Sequence, residues 1–136
     1  IEFWEMLAKL RESGITIVVS TPYMDEASRC DRVALIQNGI IMSIDTPEAI
    51  RKNFGRALWA VRADDTYRLL GDLRHYKFTR TAFPFGEHIH VSLKDESVTP
   101  TEIVLYLQAA GHSNVKVSLI EPSIEDCFME MMKVRE

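Results

Sequence analysis

A mixed α/β chain in two units is what the sequence predicts, and three observations carry the prediction. A helical pattern stops at Gly14 and runs straight into the apolar, β-branched segment Ile15–Val19, too short for a helix and read as a strand buried on both faces of a parallel sheet. Asn38-Gly39 separates two apolar runs, a strong hairpin signal because both residues tolerate positive φ. From about Ala57 the elements follow the order βαββαβ, the order of a four-stranded antiparallel sheet with two helices on one face.

The first helix covers the pattern Phe3, Trp4, Leu7, Leu10 to about Ser13 and ends at Gly14, a residue suited to the left-handed conformation after a helix. Asp25 to Arg29 is expected as a short helix with an acidic start, and Arg32 to Gln37 as a strand pairing antiparallel with Ile40 to Asp45. Thr46-Pro47-Glu48 supplies a capping oxygen and a proline at the first helical position. That helix ends near Asn53-Phe54-Gly55, so the units divide into residues 1–55 and 56–136.

In the second unit Leu58 to Arg62 is read as a strand and Asp65 to His75 as a helix with Tyr67, Leu70 and Leu73 on one side. Lys77 to Thr81 is a strand and Phe83-Pro84-Phe85-Gly86 a turn. Glu87 to Lys94 alternates Ile89, Val91 and Leu93 with His88, His90 and Ser92 at period two. Thr99-Pro100-Thr101-Glu102 has capping-box spacing, its helix closes at Gly111, and Val115, Val117 and Leu119 mark a last strand. The sum is a ferredoxin-like unit. A terminal helix follows, with Ile124, Cys127, Phe128, Met131 and Met132 on one stripe, expected to pack back on the first unit or on the sheet.

With 46% hydrophobic and 26% charged residues, the composition is that of a globular protein. No window reaches the roughly eighteen apolar residues of a membrane span, and no signal-peptide pattern opens the chain, so it reads as soluble. A net charge of −4 with 16 scattered basic residues argues against nucleic acid as a partner. Cys30 and Cys127 lack metal-ligand spacing and read as buried free thiols of a reducing cytosol. The chain begins at Ile1 inside a helical pattern without an initiator Met, which reads as a piece of something longer.

The run Ile15-Thr16-Ile17-Val18-Val19-Ser20-Thr21-Pro22-Tyr23-Met24-Asp25-Glu26-Ala27, followed by Arg29-Cys30-Asp31-Arg32-Val33, resembles the switch loop of the ATP-binding subunits of ABC transporters of the exporter, multidrug-resistance type. A second match, Glu121-Pro122-Ser123-Ile124-Glu125-Asp126-Cys127-Phe128, resembles a segment near the end of those subunits. The resemblance implies the C-terminal part of a P-loop ABC ATPase core over 1–55, then a ferredoxin-like accessory domain. It implies ATP and Mg as cofactors of the full-length parent, which would couple hydrolysis to transport. The partners it implies are a membrane permease and a second ATP-binding domain, with the subunit peripheral on the inner face of the plasma membrane. Ser20, Thr21, Pro22 and Tyr23 would lie near the γ-phosphate, and Pro22 occupies the position of the family's switch histidine.

The family's glycine-rich loop and lysine, its magnesium aspartate, its catalytic glutamate and its signature motif are not in this sequence, so this piece alone is expected neither to hold ATP nor to catalyse. Proline offers neither a side-chain donor nor a backbone N–H, and losing one positioned donor typically costs on the order of a hundred- to a thousandfold in rate. A degenerate site in the parent follows. Two alternatives are a non-hydrolysing regulatory nucleotide-binding half and a small-ligand-binding regulatory module built on the second unit.

Other candidates read as structural. His88 and His90 leave the same face of a strand, but with no further ligand nearby they are expected on the solvent side with Ser92, and no metal site is expected. Asp25, Glu26 and Asp31 read as solvated charges at a helix start. An apolar strand edge at Ile15–Val19 predicts self-association.

Overall fold

Gly14 takes φ +90° and ends α1 (Glu2–Glu12) as the sequence predicts, its N–H bonded to the Arg11 carbonyl at 2.9 Å. The computed structural model describes residues 2–134. Ile1, placed by the sequence pattern in the first helix, and the last two positions of the expected second unit lie outside the described residues. α1 buries none of its side chains.

Beyond Gly14 the expected strand is not formed. Ile15–Val19 has no ladder, with Val18 91% and Ile15 50% exposed. The apolar, β-branched composition is that of a buried strand, but a strand exists only where a neighbour completes its backbone hydrogen bonds, and among the described residues none runs beside it. The helix α2 is a single turn (Met24–Ala27), shorter than the expected Asp25–Arg29. β1 (Val33–Gln37) and β2 (Ile40–Asp45) pair antiparallel across Asn38 at φ +51° and Gly39 at +73°, the doubly positive turn that matches strand twist. Thr46 Oγ1 then accepts from the Ala49 N–H at 3.2 Å to start α3 (Pro47–Lys52).

The remaining strands are β3 (Leu58–Arg62), β4 (Thr79–Phe85), β5 (His88–Leu93) and β6 (Lys116–Ile120), with α4 (Thr66–His75) and α5 (Pro100–Ala109) between them. They form one sheet in the order β4-β5-β3-β6, every pair antiparallel. Two expectations need correction here. β4 continues through Phe83-Pro84-Phe85, and the turn falls on Gly86 at φ +61° and Glu87. Proline is tolerated because β4 is an edge strand, where a missing N–H leaves no ladder bond unmade. In α4 the covered residues are Leu69 and Leu73, and Tyr67 is 91% exposed. Leu69 and Leu73 stand at i, i+4 on the face toward the sheet, whereas Tyr67 is half a turn away. The capping box at α5 is formed, with Glu102 N–H to Thr99 Oγ1 at 3.3 Å and Thr99 N–H to Glu102 Oε2 at 2.6 Å.

Two cores result. One lies between the sheet and helices α4 and α5, where Val61, Ile89 and Val91 meet Leu69, Leu73, Ile103 and Leu107. Each such side chain fully removed from water contributes about 2 kcal/mol. The other is organised by α6 (Ile124–Val134), whose Ile124 and Cys127 pack with Ala27, Val33, Leu35, Ile50 and Leu58. The terminal helix therefore joins the hairpin region to the second face of the sheet. Ser92 on that face is wholly buried and hydrogen-bonded to Thr81.

Candidate functional site

The loop Ser20 to Tyr23 connects the unpaired Ile15–Val19 segment to α2. Thr21 organises it: its hydroxyl donates to Glu26 Oε2 at 2.6 Å and accepts from the Tyr23 backbone N–H at 3.0 Å. Threonine does this because a short hydroxyl can replace a backbone group two residues on. Ser20 and Pro22 are exposed, and Tyr23, at the N-cap of α2, makes no side-chain capping bond and is 66% exposed.

Behind the loop lies an open cleft of about 860 Å³, lined by Trp4, Leu7, Ile17, Val19, Ile36 and Phe128 among others. Its rim carries the Arg11–Asp31 ion pair at 2.8 Å, both partners exposed. Asp25 and Glu26 stand in the first turn of α2 as expected, whereas Asp31 is engaged by α1 and Glu26 by Thr21. These carboxylates are held apart by different partners and form no acid–base pair.

The Thr21 proton is committed to Glu26, and Pro22 has none to give. No group of three or more candidate metal ligands occurs among the described residues.

A second polar cluster escaped sequence reasoning. His90, expected on a solvated face, is largely covered: its Nδ1 lies 2.6 Å from Asp126 Oδ1, its ring stacks on Phe85 with centroids 4.1 Å apart, and its side chain is 17% exposed. His88, on the same face, stays exposed. The overturned assumption is that only one face of the sheet is covered; α6 covers part of the other. Asp126 Oδ2 accepts from both the Ser123 N–H and its hydroxyl, each at 2.8 Å, and Ser123 Oγ accepts from the Asp126 N–H at 3.2 Å. This reciprocal cap starts α6. Burial is the largest influence on the Asp126 carboxyl and opposes ionisation, but the bonds from His90 and Ser123 together outweigh it and hold the pKa below the ordinary carboxylate value. Serine, aspartate and histidine here do not form a nucleophilic triad, because the serine is bonded to the carboxylate rather than to the imidazole. The one available signal was the Ser-x-x-Asp spacing at a helix start.

Glu130, one turn further along α6, is reached by Arg80 Nε at 2.8 Å. Cys127 donates to the Ile50 carbonyl at 3.4 Å, and burial pushes its thiol up to about 11. Cys30, expected to be buried, is half-buried; burial first, then Asp31 and Glu26, raise its thiol pKa as well.

No protein-family model matches the chain. It is similar to the Nod factor export ATP-binding protein I of Bradyrhizobium diazoefficiens, 29% identical over 133 residues, covering 94% of this chain and 40% of that protein. It is 25% identical over 135 residues to the daunorubicin resistance ATP-binding protein DrrA2 of Streptomyces coeruleorubidus, covering 96% of this chain and 42% of the relative. Over 50 residues, 37% of this chain and 9% of the relative, it is 38% identical to the probable multidrug ABC transporter ATP-binding protein YbhF of Escherichia coli. The chain is thus similar, along nearly its whole length, to export and drug-resistance ATP-binding proteins. It spans about two fifths of the length of the first two proteins. Among the described residues no helix is long and apolar enough to cross a membrane.

Proposed function

We propose that this chain is the C-terminal portion of the ATP-binding subunit of an ABC exporter, with residues 1–55 closing the nucleotide-binding core and 56–136 forming a ferredoxin-like accessory domain. The observation that carries the reading is the match along nearly the whole chain to export and drug-resistance ATP-binding proteins of which it spans two fifths. The uncovered cleft supports it. An apolar segment without strand neighbours, facing α1 and β1 across open space, is what a parallel sheet leaves when its other strands come from elsewhere in a polypeptide. The sheet order β4-β5-β3-β6 with two helices on one face supports the ferredoxin-like assignment.

In the parent, ATP and Mg are held by residues outside this chain, and the subunit works on the cytoplasmic face of the membrane with a permease and a second ATP-binding domain. The Ser20–Tyr23 loop reaches the γ-phosphate region, where Pro22 contributes no donor. The accessory domain serves contacts between ATP-binding domains or their regulation.

The test is steady-state ATP hydrolysis by the full-length protein with its permease, wild type against Pro22→His. A gain on the order of a hundredfold is expected if proline alone disables this site. Unchanged hydrolysis with ATP still bound would overturn the role given to Pro22.

A further inference from the structure

Two helices on opposite faces of the sheet end at the same edge strand, β4. Arg74, in the last turn of α4, donates from Nε to the Ala82 carbonyl at 3.2 Å. Lys133, in the last turn of α6, donates from Nζ to the Arg80 carbonyl at 2.8 Å. Both line a recess of about 320 Å³ whose other walls are Ala82, Phe83, Met129 and Met132. That volume lies at the lower end of the roughly 300–1,000 Å³ of small-molecule sites.

No carboxylate lines the recess. Glu130, beside Met129 on α6, is already engaged by Arg80 at 2.8 Å and by Arg56 at 4.0 Å. Among the described residues neither Arg74 nor Lys133 has an ion-pair partner, and their one side-chain bond each goes to the β4 backbone. Four cations here share one carboxylate, in a chain whose net charge is −4. After its bond to the strand the Arg74 guanidinium keeps both terminal nitrogens and the Lys133 ammonium two protons, and the six lining side chains offer them no oxygen. Opposite the charges stand an aromatic ring and two thioethers. The planar guanidinium fits the two oxygens of a carboxylate, and methionine adapts to a flexible apolar chain.

We propose that this recess binds a small amphiphilic carboxylate, its head between Arg74 and Lys133 and its apolar chain against Phe83, Met129 and Met132. Such an occupant ties the end of α4 to the end of α6 around the strand edge. The inference goes beyond the ATP-binding reading and does not rest on it.

The probe is octanoate, titrated into the full 136-residue chain carrying isotope-labelled methionine methyl groups and followed by NMR. The Met129 and Met132 signals should shift saturably with a Kd of about 1 mM or tighter, while Met24, in the wall of the larger cleft, stays in place. Octanol, the same chain without the charge, should bind at least about tenfold more weakly. Arg74→Gln and Lys133→Gln should each weaken octanoate binding about tenfold, with circular dichroism verifying the fold. Lys116→Gln, which removes the same charge from an exposed site on β6, should leave binding unchanged. Met132→Glu, which brings a carboxylate to the recess, should abolish it. Absence of saturable shifts at Met129 and Met132 overturns the proposal, as do shifts confined to Met24, octanol binding as tight as that of octanoate, or an affinity indifferent to the recess variants.

Discussion

Between residues 57 and 120 the side chains of Val61, Leu69, Leu73, Ile89, Ile103 and Leu107 are completely covered, whereas before residue 20 Phe3, Met6, Ile15 and Val18 are each exposed by half or more. The contrast does not lie in composition, since Ile15–Val19 is as apolar and β-branched as any strand of the sheet. It lies in partnership: β3 has a strand on each side and two helices over one face, whereas Ile15–Val19 has an open cleft. Burial is a property of the arrangement of elements, and the hydrophobic free energy is realised only where a second surface completes it. The hairpin is intermediate, covered on the side of α6 by Val33 and Leu35 and open through Ile36, Ile41 and Ile44.

Substitutions separate the two regions by size of effect. Leu73→Ala, at a completely buried site, should cost about 3 kcal/mol in urea denaturation of this chain. A loss below about 1 kcal/mol would mean that the core between sheet and helices is loosely packed. Asp126→Ala removes the partner of His90 and the cap of α6 at once, so a loss of about 2 kcal/mol is expected by the same method.

Acidification should sharpen that result. The folded state holds Asp126 ionised more readily than the unfolded chain does, so its contribution is complete above the ordinary aspartate value of about 3.9 and is lost as pH falls through the lower folded value. Acid unfolding followed by tryptophan fluorescence should accordingly be less steep in Asp126→Asn than in wild type. Thr99→Ala, which breaks the α5 capping box, should cost about 1 kcal/mol in urea. At the small end, Val18→Ser should change stability by no more than about 0.5 kcal/mol, because nothing in the structure covers Val18. A cost as large as that of Leu73→Ala would break the comparison between the two regions.

Much of the local structure was legible. Asn38-Gly39, Thr46-Pro47, Thr99-x-x-Glu102 and Gly111 each mark a turn or a helix end through chemistry contained within a few residues, and each stands where the pattern puts it. The failures have one origin. Tyr67 and Leu69 are both apolar residues of one helix, and only the position of the sheet beneath α4 decides which is covered. The run through Phe83-Pro84-Phe85 reads as a turn until its place at a sheet edge is known. His90 and Ser92 alternate with apolar residues, which implies a wet face, yet α6, from later in the chain, brings Asp126 against His90, and Ser92 is wholly buried.

At the candidate site, the missing donor at Pro22 follows from the residue type alone. The bond from Thr21 to Glu26 and the cluster of His90, Asp126 and Ser123 were not, since they depend on how elements meet.

Sequence alone therefore determined the order of the helices and of the strands that form, the hairpin turn at Asn38-Gly39, the caps, and the lack of a donor at Pro22, because these follow from backbone sterics and side-chain chemistry acting over a few residues. Only the tertiary structure decided that α6 clasps the hairpin region to the second face of the sheet, that Arg74 and Lys133 meet at one sheet edge, and that Ile15–Val19 stands uncovered. Those outcomes depend on which surfaces meet, and a strand or an apolar face acquires its role only from the surface brought against it.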